Sequence, residues 1–178
     1  TAFVLMDHLL PQPLADFARA YPGIEVEMVE NAVLADLSSA SAAAAPQRGR
    51  READVALRLS ANVAEHLVGR ELGMTQCRVY ALRGAPDLPQ DLTPVPELIR
   101  AAPWVAFERD ASGRIYDRWM REHLAHADVR LRVDIFNAKA AMLRTGIGVG
   151  VLPTFMQDKH PELVAVSEPI PELAAPVW

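Results

Sequence analysis

The chain has 178 residues, 51% of them hydrophobic and 23% charged, with a net charge of −5. Such a composition belongs to a globular chain long enough for one ordinary domain or two small lobes, and its negative balance gives no chain-wide attraction to phosphates, which disfavours direct nucleic-acid binding. The single cysteine, Cys77, excludes an internal disulfide framework and fits a reducing compartment, and no apolar run approaches the roughly 20 residues of a bilayer span.

Leu9, Leu10, Leu14, Phe17 and Ala18 recur at helical spacing between Asp7 and Tyr21, with Pro11 and Pro13 set to kink or restart the helix and Pro22-Gly23 to end it. Ile24 to Val29 alternates apolar and charged residues, as a strand with one covered face does. An alanine-rich helical pattern runs from Ala32 to Ala45; its Ser38 to Ala45 tract is either a ragged helix end or a flexible insertion. Arg48, Arg50 and Arg51 form the one dense basic cluster, but Glu52 and Asp54 follow at once, so it reads as a solvated loop, with Asp54 either in a structural ion pair with Arg51 or capping the loop.

Asp54 to Leu59 and Cys77 to Leu82 are strand signals, with Leu67, Val68 and Leu72 anchoring the loop between them. The helix, strand, helix, strand order predicts a parallel sheet. Pro86, Pro89, Pro94 and Pro96 mark a boundary, after which a second alternating unit begins. Trp104 to Phe107 reads as a strand, Arg114 to Leu124 as an amphipathic helix with Ile115, Trp119, Met120 and Leu124 on one side, and Val129 to Val133 as the next strand. A helix from Asn137 to Thr145, a strand over Val149 to Leu152, a short helix near Phe155 and a strand at Leu163 to Val166 complete the lobe.

The segment Arg144-Thr-Gly-Ile-Gly-Val-Gly-Val-Leu-Pro153 superficially matches a nucleotide loop. A dinucleotide fingerprint places its glycines between a strand and a following helix, so that the pyrophosphate meets free N–H groups. Here a helix precedes and a strand follows, the third fingerprint glycine falls at Val151, and no P-loop Lys-Ser or Lys-Thr pair is present. Gly146 sits where a left-handed cap closes a helix, and the glycines are structural.

Catalytic and metal motifs are lacking. His123 and His126 are the only neighbouring histidines, at i and i+3 across a helix end with no third ligand beside them. No nucleophile elbow or Ser-His-Asp order occurs, and Cys77 lies inside an apolar strand, where a buried inert thiol is expected. Asn137 stands at a helix start after the Val129 to Val133 strand, a position for an N-cap that also faces a ligand.

As a set, Leu10-Pro-Gln-Pro-Leu-Ala-Asp-Phe-Ala-Arg-Ala-Tyr-Pro-Gly-Ile-Glu-Val-Glu27, Arg50-Arg-Glu-Ala-Asp-Val-Ala-Leu-Arg-Leu59, Leu67-Val-Gly-Arg-Glu-Leu-Gly73 and Gly146-Ile-Gly-Val-Gly-Val-Leu-Pro153 resemble the effector-binding domain of LysR-type transcriptional regulators over nearly the whole chain. The resemblance implies an α/β fold of two Rossmann-like subdomains with a central cleft, like type 2 periplasmic binding proteins. Residues 1–78 and 177–178 would form an incomplete first subdomain and residues 79–176 the second. Both chain ends look cut, the usual first strand falling before Thr1 and the last elements beyond Trp178. The Ser38 to Pro46 tract is longer than the family pattern.

By position in that pattern, Thr1, Ala2, Phe3, Asn31, Ala32, Val33, Leu59 and Ser60 would line the cleft from the first subdomain, and Glu108, Phe136 and Asn137 from the second. Helix N-termini aimed at the gap would favour a small organic anion, with Phe136 as an apolar wall. The implied protein is a cytoplasmic homodimer or homotetramer that catalyses no reaction, needs no cofactor or metal, touches no membrane, and reaches DNA only through a winged helix-turn-helix not in this sequence. An exported solute-binding protein of the same fold, serving transport, is the alternative.

Overall fold

In the computed structural model the described residues are 3–29, 54–59, 68–108 and 115–178. The chain forms two compact units, Thr1–Met74 with Ala175–Trp178, and Thr75–Ala174.

In the first unit, the prolines near the start act as restart signals. Helix α1 (Phe3–His8) stops, and α2 (Pro11–Ala20) begins with Pro11 in its first turn, where its missing N–H costs nothing. Tyr21 leaves helical geometry before Pro22-Gly23, its N–H donating to the Phe17 carbonyl at 2.9 Å. The strand expected over Ile24 to Val29 does not form. The segment pairs with no described residue and its apolar side chains are exposed, Ile24 at 54% and Val29 at 57%. Alternation fixes the two faces of an extended segment, but only a neighbouring ladder makes it a strand.

The strand expected over Asp54 to Leu59 shrinks to an antiparallel bridge between Leu59 and Val177, flanked by reciprocal 2.9 Å backbone bonds between Arg58 and Trp178. Val68 and Leu72, expected as anchors, are exposed. A short strand β1 (Gly73–Thr75) pairs with the carboxyl-terminal β7 (Ala175–Val177), so the pairings among the described residues of this half join mid-chain segments to the carboxyl terminus and are not those of the parallel sheet its element order predicts. The Ala32 to Ala45 helix, Leu67 and the basic cluster of Arg48, Arg50 and Arg51, with its Asp54 ion pair, fall outside the described residues.

The second unit follows the sequence closely. Strands β2 (Cys77–Leu82), β3 (Trp104–Phe107) and β4 (Val129–Val133) have the expected bounds. Strand β2 is central in its ladder, antiparallel to β5 (Gly150–Pro153) and to β6 (Leu163–Ala165), while β3 and β4 run parallel. A parallel bridge between Trp104 and Val149 joins the two ladders side by side, giving a mixed sheet in the order β4, β3, β5, β2, β6.

The proline-rich segment lies inside this unit instead of at its edge. Gln90 organises it: its side-chain oxygen accepts from Gly84 N–H at 2.7 Å and its amide donates to Leu82 O at 3.1 Å. Pro94 and Pro96 flank the start of α3 (Val95–Ala101), where prolines are tolerated. Helix α4 (Ile115–His123) buries Tyr116, Trp119 and Met120, with Leu124 just beyond it, against Leu98, Trp104, Phe107 and Leu173. Fully burying each large apolar side chain contributes about 1.5–3 kcal/mol. Trp104 also donates its indole N–H to Leu98 O at 3.1 Å, so no polar group is sacrificed.

The glycine segment closes helix α5 (Phe136–Leu143). Gly146 takes φ +74°, and its N–H caps Leu143 O at 3.0 Å. The other two glycines serve close approach. A Cβ on Gly148 would stand 2.6 Å from the Pro103 carbonyl oxygen, and one on Gly150 2.9 Å from that of Val105. Their bare backbone lets β5 lie beside β3, where Val105 N–H donates to Val149 O and Val149 N–H to Pro103 O, each at 2.8 Å. A 3-10 helix (Thr154–Lys159) follows, and a second one (Pro171–Leu173) precedes β7.

Candidate functional site

Parallel pairing of Phe107 with Val133 brings the carboxyl ends of β3 and β4 side by side. Glu108 follows β3, its N–H donating to Val133 O at 3.0 Å, and Arg132 donates to Phe107 O at 2.8 Å. Beyond β4 the chain turns into α5, whose first residue is Phe136. The half-buried Phe136 ring meets Phe107 edge to face at 4.8 Å and Tyr116 at 5.0 Å, which locks the helix start against the sheet and α4.

Three residues along α5, Lys139 is fully buried. Its ammonium lies 3.3 Å from the Phe107 ring centroid and 5.7 Å from that of Phe136, with Met120 Sδ at 3.9 Å. A lysine amine over an aromatic face gains about 2 kcal/mol, which holds the side chain against the aromatic pair. Below it, the Tyr116 hydroxyl is buried beside the Cys77 thiol and Thr75 without a well-formed hydrogen bond. Burial pushes the Cys77 thiol up to about 12, against smaller opposing influences of Tyr116 and Lys139. Burial also raises Tyr116, with nearby Cys77 adding to it. The thiol is protonated at neutral pH and cannot act as a nucleophile.

Of the residues expected to line a ligand, Glu108, Phe136 and Asn137 lie at this carboxyl edge, Glu108 exposed and the other two half-buried. Asn137 is not the N-cap. Ile135 occupies that position, extended at φ −129° and ψ 155°, with no side-chain capping bond, and Asn137 sits within the first turn. The helix starts earlier than predicted because Phe136 gains two ring contacts by joining it, which outweighs the capping preference of Asn. Phe3 opens α1, and Leu59 bridges Val177. Thr1, Ala2, Asn31, Ala32, Val33 and Ser60 lie outside the described residues.

Sequence reasoning missed Lys139, Tyr116 and Phe107. The signal was present: Phe136, Lys139, Ala140 and Leu143 fall at i, i+3, i+4 and i+7, which places a lysine on the buried stripe. His123 is committed elsewhere, its ring stacked on Trp119 at 4.5 Å and its Nδ1 2.9 Å from Trp119 O. Among the described residues no group of His, Cys, Asp and Glu is placed to hold a metal, and no helix is long and apolar enough to cross a membrane.

The fold has solved counterparts among regulatory domains. The regulatory domain of CrgA, a LysR-type transcriptional regulator from Neisseria meningitidis, is similar at a TM-score of 0.65 and 18% identity, over 99% of this chain and 83% of that one. The Synechocystis PCC6803 CcmR regulatory domain, solved in complex with 2-PG, is similar at 0.62 and 19% identity, over 96% and 80%. Full-length AphB, the Vibrio cholerae virulence activator, is similar at 0.65 and 16% identity over 97% of this chain but 56% of its own. This chain therefore spans little more than half of a full-length regulator. No curated protein sequence matches it. The family model for the LysR substrate binding domain matches residues 2–178, and the chain belongs to that family. Its fold is the α/β, periplasmic-binding-protein-like fold of LysR-type regulatory domains.

Proposed function

We propose that this chain is the effector-sensing part of a cytoplasmic LysR-type transcriptional regulator, that its effector is a small organic anion, and that it catalyses no turnover. The family match over residues 2–178 carries the reading. The effector sits at the carboxyl edge of β3 and β4, against Glu108, Phe136 and Asn137. Support comes from the start of α5, whose positive dipole end favours an anion, and from the buried Lys139 side chain in the same helix.

Binding works by population shift. An effector that fits one arrangement of the two subdomains better biases the equilibrium toward it, by no more than its difference in affinity for the two states. An oligomer of such domains then holds its DNA-binding heads differently, DNA being contacted through a segment outside this sequence. The CcmR domain bound to 2-PG shows that one regulatory domain of this fold takes a small molecule.

A thermal-shift screen with small organic acids tests the proposal. A true effector at about 100 times its Kd stabilises the protein by about 2.7 kcal/mol. Phe136→Ala and Asn137→Ala should each shrink that shift. An unchanged shift in both variants would move the site elsewhere, and turnover of any bound acid would end the non-enzymatic reading.

A further inference from the structure

A concavity of about 610 Å³ is formed by the proline-rich segment, α4 and the 3-10 helix Pro171–Leu173. Neither Phe136 nor Asn137 lines it. Its size is within the roughly 300–1,000 Å³ of small-molecule sites. The walls are apolar, with Val95, Ile99, Trp119 and Ile170 among them, and the neighbouring Leu92 is left 54% exposed to solvent.

Glu168 and Glu172 are the only carboxylates in the lining, which includes no lysine or arginine. Arg78 stands 3.6 Å from Glu168 and partly offsets it. Glu172 is exposed and has no ion-pair partner among the described residues. His123 also lines the groove, its Nδ1 2.9 Å from Trp119 O, a carbonyl that can only accept, so that nitrogen carries a proton. Stacking on Trp119, with 14° between the planes, fixes the ring orientation.

An apolar groove whose lining carries two carboxylates and no lysine or arginine is complementary to an ammonium carried on an apolar body and repels the organic anions proposed for the α5 site. We propose that this groove is a second ligand site of the domain and takes an amphipathic organic amine. The inference stands on charge and shape complementarity within the second unit and does not depend on where the effector binds.

Tryptamine is a suitable probe, with indole-3-propionate as a charge-reversed counterpart of similar shape. Titration of the isotope-labelled domain should give saturable shifts of the Trp119 indole and of the Ile99 and Ile170 amides with tryptamine, and none with the propionate. Glu172→Gln, an exposed substitution with no packing cost, should weaken tryptamine about fivefold, and Glu168→Gln less, because Arg78 already offsets that charge. The proposal is overturned if tryptamine fails to saturate by about 10 mM, beyond the millimolar range of weak specific sites. It is equally overturned if the propionate binds as well, if the shifts centre on Phe136, or if neither glutamine variant changes the affinity. Failure here leaves the organic-acid screen unaffected, and failure of that screen leaves this titration unaffected.

Discussion

Replacing Gly148 by alanine probes how the glycine segment works. The added Cβ would meet the Pro103 carbonyl oxygen at 2.6 Å and its carbon at 2.9 Å, both backbone atoms that no rotamer change can move. Relief requires β5 to withdraw from β3. Overpacking of this kind costs about 1–3 kcal/mol. Withdrawal also weakens the two 2.8 Å bonds joining Val149 to Pro103 and Val105, each worth about 1 kcal/mol net. The expected loss is therefore about 3–5 kcal/mol, enough to lower Tm by roughly 6–20 °C in a chain of this length.

Urea unfolding followed by tryptophan fluorescence reads the loss, because the buried Trp104 adjoins the strained contact. Gly23→Ala is the internal control, since a Cβ there meets nothing within 4 Å and should change stability by less than about 0.5 kcal/mol. If Gly148→Ala were as mild as Gly23→Ala, the assignment of these glycines to close strand approach would be wrong.

Other expectations follow from the same contacts. Gly146→Ala, at φ +74° with Leu82 3.4 Å from the new Cβ, should cost about 1–2 kcal/mol, and Gly146→Asn less, as measured by the same unfolding assay. Phe107→Leu removes the edge-to-face partner of Phe136 and the ring beneath Lys139, and should cost about 2–4 kcal/mol by calorimetry. Cys77 should resist Ellman's reagent at pH 8 until the protein unfolds; rapid labelling of the native state would contradict its burial. The unfolded chain ionises this thiol near 9, whereas the folded chain holds it protonated to about 12, so stability should be intact below about 9 and fall as pH rises through that window. Cys77→Ala should flatten part of the slope in alkaline denaturation curves, with Tyr80, raised by burial from 10.0 to about 12, supplying a further part of the same sign.

Legibility in the sequence tracked how local the decisive forces are. Strands β2, β3 and β4 announce themselves as short runs rich in β-branched and aromatic residues, and their bounds match. The Gly146 cap is a one-residue backbone requirement and was equally readable. Direction was not: β2 runs antiparallel to both neighbours because distant segments return beside it, which no window around residues 77–82 encodes. Helix α3 hid behind prolines that mark a boundary in one setting and a first helical turn in another. At the candidate site, Glu108, Phe136 and Asn137 were named through family resemblance, whereas the buried Lys139 depends on what faces it across the core, and only the folded chain reveals that as Phe107 and Met120.

The pairing of β1 with β7 has a consequence for biosynthesis. One partner of that ladder ends at Thr75 and the other starts at Ala175, with the entire second unit threaded between them. A ribosome adding about 5–20 residues per second therefore leaves β1 waiting several seconds for its mate. The later-made body can collapse before the earlier-made one is sealed, and the nascent chain carries an open edge that holdase chaperones would meet first.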